Sequence, residues 1–210
     1  MAGTPLKLIV GLGNPDPEYA RTRHNAGFWF AGELARRHGG AFRAESKHQG
    51  ELGGVRVAGN EIWLLKPMTY MNRSGGSVRS VASFYKIEAA EVLVGYDELD
   101  FPPGVVKLRQ GGGAAGHNGV TDVMQHMDEA FWRLRIGVGK PPGRGIEHVL
   151  SRPSQDDEKA IRECINAACD AVVVMLEQGA AKAMNQLHAR NPTGGSTPPK
   201  DQRGGGAPGA

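Results

Sequence analysis

A histidine and an aspartate stand where the sequence predicts the boundaries of secondary-structure elements. His24 lies in RTRHNAG, immediately before a predicted helix, and Asp97 follows the apolar run VLVGY. Histidine titrates near neutral pH and can act as a general base, and a carboxylate can orient a neighbouring imidazole. Taken singly, a histidine at a helix start is more often a structural or surface residue. The two residues therefore mark a candidate reaction centre without fixing the reaction.

Amide side chains supply further candidates in separate predicted loops. Asn14 follows the apolar segment LKLIVGLG, Asn72 precedes a predicted helix in YMNRSGG, and His117-Asn118 ends the glycine-rich segment GGGAAGHNG. An amide can both donate and accept hydrogen bonds, so it can hold a polar substrate without adding charge. Each of these asparagines, taken alone, is better explained as a turn or cap residue.

Several common catalytic signatures are missing. GLGNPD carries Asp16 where a dinucleotide fingerprint needs its third glycine, and GGGAAG lacks the Lys-Ser/Thr that closes a phosphate-binding P-loop. The chain has neither a G-x-S-x-G nor an H-E-x-x-H motif. Cys164 and Cys169, the two cysteines, are predicted to be small buried residues, not zinc ligands. These observations argue against a nucleotide-dependent oxidoreductase, a serine hydrolase and a zinc hydrolase.

Predicted strands alternate with predicted helices along the chain. Such alternation indicates a single-domain α/β layered fold with a mixed, mainly parallel β-sheet flanked by helices. The strands are predicted at 6–13, 50–58, 61–65, 91–95, 105–109 and 132–138, with 50–58 and 61–65 as a hairpin around Gly59-Asn60. The helices are predicted at 26–38, 74–85, 118–127, 154–179 and 180–189. Strands of this type place functional loops at their carboxyl ends.

The last twenty residues differ in composition from the rest. Residues 191–210 are rich in glycine and proline and have no apolar run, so we predict a disordered tail after a catalytic domain at 1–190. The N-terminal apolar run is too short for a signal peptide, and nothing approaches the roughly 20 apolar residues of a membrane span. We therefore expect a cytoplasmic protein without membrane attachment.

Basic residues are concentrated between positions 101 and 146, although the formal net charge is only +3. The basic residues of this region are Lys107, Arg109, Arg133, Arg135, Lys140 and Arg144. A patch of this size can hold a few phosphates. On charge alone, an ordinary solvated face is the better explanation.

The motifs taken together resemble the bacterial-type peptidyl-tRNA hydrolases. The segments GLGNP, EYARTRHNAG, YMNRSG, DELDFPPG, GGGAAGHNG, RLRIGVG and NQLH occur in that family's order and span residues 6 to about 188. The departures are Asp16, Tyr96 and Ala115, which stand where the family often has glycine, histidine and glycine. None of them removes a residue expected to be catalytic.

The resemblance implies hydrolysis of the ester between a peptide and its tRNA, with no cofactor and no metal. It implies that His24 is the general base, that Asp97 orients its ring, and that Asn14 lies close to the attacking water or the first peptide bond. The residues implied to contact the substrate or tRNA are Tyr19, Tyr70, Met71, Asn72, His117, Asn118, Lys107, Arg109, Arg135, Lys140 and Arg144. Tyr19 and Tyr70 are candidates for stacking on the terminal adenosine, with ordinary half-buried packing as the alternative.

The implied partner is peptidyl-tRNA, bound through its acceptor stem and terminal adenosine by a monomer with no obligate protein partner. A non-catalytic RNA-binding protein that keeps the hydrolase fold is the alternative. An intact set of His24, Asp97 and Asn14 favours the enzyme, because a protein that only binds RNA would not need it.

Overall fold

The computed structural model describes residues 3–141 and 145–191, which form one seven-stranded sheet with helices on both faces. The strands are β1 (Leu8–Gly11), β2 (Arg43–Glu45), β3 (Gly50–Val57), β4 (Asn60–Pro67), β5 (Val92–Glu98), β6 (Val106–Gln110) and β7 (Trp132–Gly137). The helices are α1 (Ala26–Arg37), α2 (Ser74–Phe84), α3 (Asn118–His126), α4 (Gly145–Val149), α5 (Gln155–Gln178) and α6 (Ala180–Ala189).

The sheet is mixed, with parallel strands at its centre. Its order is β2-β3-β4-β1-β5-β7-β6, and β4, β1, β5 and β7 run parallel to one another. β2, β3 and β6 are attached by antiparallel pairing at the two sides. The predicted fold class is therefore confirmed.

Each face of the sheet carries its own hydrophobic core. Along β1, Ile9 packs with residues of α1, α5 and α6, whereas Leu8 and Val10 pack with residues of α2 and α3. This alternation follows from the two-residue period of a strand. Because both faces are covered, β1 and the first five residues of β5 read as continuous apolar runs.

The long helix α5 has sequence-encoded boundaries. The Ser154 hydroxyl accepts a hydrogen bond from the amide of Asp157, and the acidic residues of the first turn favour the positive end of the helix dipole. The helix ends at Gly179, whose φ of 89° is readily adopted only by glycine.

Some predicted boundaries were wrong. β5 continues through Glu98, so Asp97 lies inside the strand near its carboxyl end. The hairpin turn consists of Ala58 and Gly59, both with positive φ, because Asn60 already pairs with Val57. The short elements β2 and α4 were not predicted.

Residues 192–210, including almost all of the predicted tail, and Arg144 lie outside the described residues. Among the helices that are described, none combines the length and apolar character required to cross a lipid bilayer.

Candidate active site

The carboxyl ends of β1 and β5 bring Asn14 and Asp97 to the same edge of the sheet. β1 and β5 are parallel neighbours, with Gly11 opposite Gly95, and the amide of Leu12 donates to the carbonyl of Gly95. Asn14 follows β1, and Asp97 is the penultimate residue of β5. This edge is where open α/β sheets form their ligand crevices.

His24 reaches this edge from a short 3-10 turn, Arg23–Asn25, that leads directly into α1. The turn is fixed by Arg23, whose buried guanidinium donates to the Ser151 hydroxyl at 2.8 Å and to the Arg152 carbonyl at 2.8 Å. It also pairs with Asp157 at 3.2 Å. Arg23 therefore anchors the histidine-bearing turn to the segment that precedes α5.

Close packing of α1 against the sheet requires glycine at position 27. A Cβ there would collide with the carbonyl oxygen of Gly95 and would meet the backbone of Leu12 at 2.5 Å. The first turn of α1 can consequently approach β5 closely enough for His24 to meet Asp97.

His24 and Asp97 form a direct hydrogen bond. Nδ1 of His24 lies 2.8 Å from Oδ1 of Asp97, which is 3% exposed. An ionised carboxylate only accepts hydrogen bonds, so Nδ1 carries the proton and Nε2 keeps its lone pair. This tautomer is the one that a general base requires at Nε2.

His117 occupies the same carboxylate oxygen from the other side. Its Nε2 lies 2.9 Å from Oδ1 of Asp97, and its Nδ1 accepts a hydrogen bond from the amide of Val120 at 3.2 Å. Because Nδ1 is an acceptor, the proton sits on Nε2 and is donated to Asp97. Both ring nitrogens are thus engaged within the protein, while His117 also lines the cleft, and its role as a substrate ligand stays a prediction.

The pKa values of the cluster follow from this geometry. Burial opposes ionisation of Asp97, but attraction to His117 and His24, together with the hydrogen bonds they donate, outweighs it and holds the pKa of Asp97 well below its usual value. Burial also lowers the pKa of His24, yet the charge of Asp97 and their hydrogen bond reverse the effect and raise that pKa above 6.5. An ionised Asp97 thus faces an imidazole that can hold a proton transiently.

Two imidazoles and a carboxylate are also a set of metal-ligand types, and their ligating atoms lie within 4.8 Å of one another. In this arrangement, however, the nitrogens that face Asp97 both donate to one oxygen. A metal would have to displace both protons. The atoms of the three side chains that face one another are therefore engaged in hydrogen bonds, and the absence of a metal from the reaction stays a prediction.

Asn14 is held rigidly by its neighbours. Its backbone amide donates to Oδ1 of Asn25 at 2.8 Å, and its carbonyl accepts from Nδ2 of Asn25 at 3.0 Å. Its own Oδ1 accepts from the amide of Met71 at 3.1 Å. The Asn14 side-chain NH₂ is therefore the part left to donate into the cleft. Asn25 was not predicted, although it stands beside His24 in the recognised motif.

These side chains line a cleft of about 630 Å³. The residues around it are Asn14, His24, Tyr70, Met71, Asn72, Arg73, Asp97, Glu98, Leu99, Ala115, Gly116, His117, Asn118, Gly145, Ile146, Val149 and Leu150. One wall is polar, and the wall formed by Leu99 and α4 is apolar. This combination suits a ligand with both an ester and apolar side chains.

Most of the expected substrate ligands lie at this cleft. Asn72 and Asn118 are exposed at its rim, Tyr70 is 61% exposed, and Met71 is buried in its floor. Tyr19 is half-buried and does not line the cleft. Its stacking role therefore has less support than that of Tyr70.

The apolar wall was not predicted from sequence. Ile146 of α4 and Leu150, the residue that follows this helix, line the cleft, and both are exposed. The helix has only five residues, too few for a recognisable 3.6-residue period. The sequence signal is limited to the three apolar residues of the segment IEHVL.

Four of the six predicted basic residues lie on one face of the β6–β7 ladder. Lys107 pairs across the ladder with Arg135, and Arg109 pairs with Arg133. Alternation along the strands puts these four side chains on the same face, here called the basic face. Lys107 and Arg109 are exposed, whereas Arg133 is fully buried and donates to the carbonyl of Gly113 at 2.7 Å.

Arg135 and Lys140 have protein partners of their own. Arg135 makes contacts of 3.0 and 2.9 Å with a carboxylate oxygen of Glu98, which is buried, and stacks on Phe101. Lys140 pairs with Asp100 at 3.2 Å in an exposed position, where an ion pair contributes little stability. Lys107 and Arg109 are consequently the cations of the basic face most available to an external phosphate.

Comparison with known proteins shows the family to which the chain is similar. Residues 8–194 match the family described as peptidyl-tRNA hydrolase. The chain is 47% identical over 194 residues to a peptidyl-tRNA hydrolase of Cupriavidus pinatubonensis, covering 87% of this chain and 98% of that protein. It is 47% identical over 208 residues to one of Leptothrix cholodnii, covering 98% and 95%. A crystal structure of peptidyl-tRNA hydrolase from Acinetobacter baumannii is similar with a TM-score of 0.86 at 42% identity, covering 90% of this chain and 97% of that one.

Proposed function

Because the chain belongs to the peptidyl-tRNA hydrolase family, we propose that its cleft cleaves the ester between peptide and tRNA with His24 as the general base. The enzyme is a carboxylic ester hydrolase whose substrate is peptidyl-tRNA, and its products are free tRNA and peptide. The observation that carries the mechanism is that Nδ1 of His24 is bound to Asp97 at 2.8 Å, whereas its Nε2 has no hydrogen-bond partner among the residues that the structure describes.

Water attacks the ester carbonyl as Nε2 of His24 removes one of its protons. The resulting imidazolium is stabilised by Asp97, which stays ionised. The tetrahedral intermediate collapses with cleavage of the carbon–oxygen bond to the ribose, and the imidazolium returns the proton to the departing oxygen. An ester is an activated acyl group, so one well-placed base suffices for this reaction, and it contributes about 10²–10⁴ in rate.

Asn14 recognises the acyl part of the substrate in this proposal. With its Oδ1 bound to the Met71 amide, its NH₂ group donates to the peptide carbonyl or to the developing oxyanion. Asn72, in the turn Met71–Arg73, and Asn118, the first residue of α3, are both exposed at the cleft and hold the peptide backbone. An aminoacyl-tRNA has a free amine in place of the first peptide bond and cannot make the same contacts.

His117 acts as a positioning residue for Asp97 in this proposal. It ties the start of α3, and hence Asn118, to the carboxylate that orients His24. The centroids of the two histidine rings are 5.1 Å apart and the rings are tilted. Both rings can therefore donate to Oδ1 of Asp97 without stacking face to face.

The tRNA is placed with its terminal adenosine at Tyr70 and its acceptor-stem phosphates on the basic face. Phosphate contacts position a nucleic acid without reading its sequence, so many different tRNAs should serve as substrates. We further propose that the catalytic domain at 1–190 acts as a cytoplasmic monomer, since its substrate arises in translation and the site is built from one chain.

The function is tested by comparing an N-acetylaminoacyl-tRNA with its unblocked counterpart. We expect rapid release of tRNA from the blocked substrate and slow release from the free-amine substrate. Chelator should leave the rate unchanged. If both RNAs bind and neither is cleaved, the chain is an RNA-binding protein that has lost catalysis.

A further inference from the structure

The β6 strand forms one edge of the sheet, and in the described part of the chain no strand pairs with its outer side. An edge strand exposes backbone N–H and C=O groups that must find other partners. Here side chains from the C-terminal end of the described chain take that place. Nε2 of His188 accepts a hydrogen bond from the amide of Leu108 at 3.0 Å.

Asn191 binds the same edge two residues away. Its Oδ1 accepts from the amide of Val106 at 2.9 Å, and its Nδ2 donates to the carbonyl of Val106 at 3.0 Å. Three outward-facing backbone groups of β6 are thus satisfied by two side chains. The amide of Asn191 reproduces the paired donor and acceptor of a neighbouring strand.

The anchored residues alternate with the exposed cations of the basic face. Val106 and Leu108 point into the core, and the intervening Lys107 and the following Arg109 point outward. Fixing the backbone at 106 and 108 therefore fixes the positions from which Lys107 and Arg109 extend. Burial, and to a smaller extent the charge of Lys107, lower the pKa of His188. The ring therefore stays neutral, and its Nε2 can accept the hydrogen bond from the amide of Leu108.

We propose that His188 and Asn191 are positioning residues for tRNA binding, which hold the edge strand β6 so that Lys107 and Arg109 present a defined pair of charges to the RNA. This inference rests on the proposed function. It gives a role to the histidine of the NQLH segment, which lies away from the cleft. It also extends the functional domain by one residue beyond the predicted boundary at 190, because Asn191 is the first residue of the predicted tail.

The histidine is tested with a pair of variants in the full-length chain. His188→Leu removes the acceptor while keeping apolar bulk, and His188→Gln retains an acceptor of similar reach. We expect His188→Leu to raise KM for N-acetylaminoacyl-tRNA by about fivefold and to flatten its salt dependence by about one phosphate contact. His188→Gln should restore both. The N-acetylaminoacyl ester of adenosine, which lacks acceptor-stem phosphates, should be cleaved by all these proteins with unchanged kcat/KM.

The asparagine is tested with two truncations, one ending at Asn191 and the other at Arg190. The first should match the full chain, and the second should show the raised KM for tRNA only. Arg190→Ala, which removes an exposed ion pair with Asp170, is the control and should have no effect on KM.

Equal effects on the RNA and adenosine esters, or a KM for tRNA that is unchanged in both His188→Leu and the shorter truncation, would overturn the positioning role. Absence of cleavage by the unmodified chain would instead contradict the proposed function.

Discussion

Asp97 accepts hydrogen bonds from two histidines on one oxygen, and the two rings have different tasks. Within the described residues, Nε2 of His24 has no hydrogen-bond partner, whereas the second ring nitrogen of His117 accepts a hydrogen bond from the amide of Val120. Protein partners therefore decide the tautomer of each ring. The same pairing explains why a buried carboxylate stays ionised and why the pKa of His24 is raised although its ring is largely buried.

Replacement of Asp97 by asparagine tests this coupling through the pH profile. His24 is active when neutral, so kcat/KM falls as the pH decreases through its pKa, which lies above 6.5 in the unmodified protein. Asp97→Asn removes the charge that raises this pKa but leaves the burial that lowers it. The acid limb should shift to lower pH, and the plateau should fall by about 10²-fold or more.

Asp100→Asn is the matched control for this profile, because Asp100 is exposed and pairs with Lys140. It should leave the acid limb in place. An acid limb that stays in place in Asp97→Asn as well would show that Asp97 does not set the protonation of His24.

At the scale of elements, the site depends on how closely α1 approaches the carboxyl ends of β1 and β5. Gly27 allows this approach, and the Arg23 anchor fixes the preceding turn. Gly32 belongs to the same helix, but a Cβ there would meet only Nζ of Lys66, at 3.9 Å. Substitution of Gly27 therefore tests the packing of α1 against the sheet, whereas substitution of Gly32 tests helix propensity alone.

Gly27→Ala should destabilise the fold by about 1–3 kcal/mol and lower kcat, because α1 must move away from the sheet and carry His24 away from Asp97. Gly32→Ala should instead stabilise by up to ~1 kcal/mol without changing kcat. Chemical denaturation and steady-state kinetics measure both effects. Unchanged kcat in a folded Gly27→Ala protein would show that the position of His24 does not depend on this helix contact.

The glycine-rich loop before α3 is a second element with a sequence-specific feature. Ala115 has a φ of 50°, in the left-handed region that favours glycine, and it stands where the family often has glycine. A side chain there narrows the conformations open to the loop and adds local strain. It lies at the cleft, two residues before His117.

At the scale of the whole molecule, the basic face results from the register of β6 and β7 and not from a large net positive charge. The formal charge is only +3, yet alternation on β6 and β7 collects four cations on one face. They are not equivalent. Arg135 neutralises the buried Glu98, whereas Lys107 is exposed, with its ammonium 4.7 Å from the centre of the Phe101 ring.

Substitutions in the basic face should separate these roles. Arg135→Ala leaves the Glu98 carboxylate buried without its cation and should cost about 3–5 kcal/mol of stability. Lys107→Ala should leave the melting temperature nearly unchanged, weaken tRNA binding, and reduce the salt dependence of binding by about one contact. Thermal unfolding and binding titrations at several salt concentrations distinguish the two. A loss of stability in Lys107→Ala, or unchanged stability in Arg135→Ala, would contradict the assignment of Arg135 to stability and of Lys107 to RNA binding.

Ordered motifs and strand-helix alternation predicted the fold class, and they named His24, Asp97 and Asn14, which the structure brings to one cleft. They could not show that His117 shares Asp97 or that Glu98 pairs with Arg135, because these contacts join residues 20 and 37 positions apart in the sequence. The first depends on how the start of α3 packs at the end of β5, and the second on the pairing of β5 with β7. Short elements escaped prediction for another reason. β2 and α4 contain three and five residues, too few to display a period, although α4 supplies the apolar wall of the cleft.

The most direct test of the account is single-turnover cleavage of N-acetylaminoacyl-tRNA by His24→Ala, measured together with the affinity of that variant for the same RNA. The account predicts a rate lower by about 10²–10⁴ with nearly unchanged affinity and melting temperature, because His24 supplies base catalysis and the basic face supplies binding. A variant that binds normally and keeps more than about a tenth of the rate would contradict the assignment of His24 as the general base.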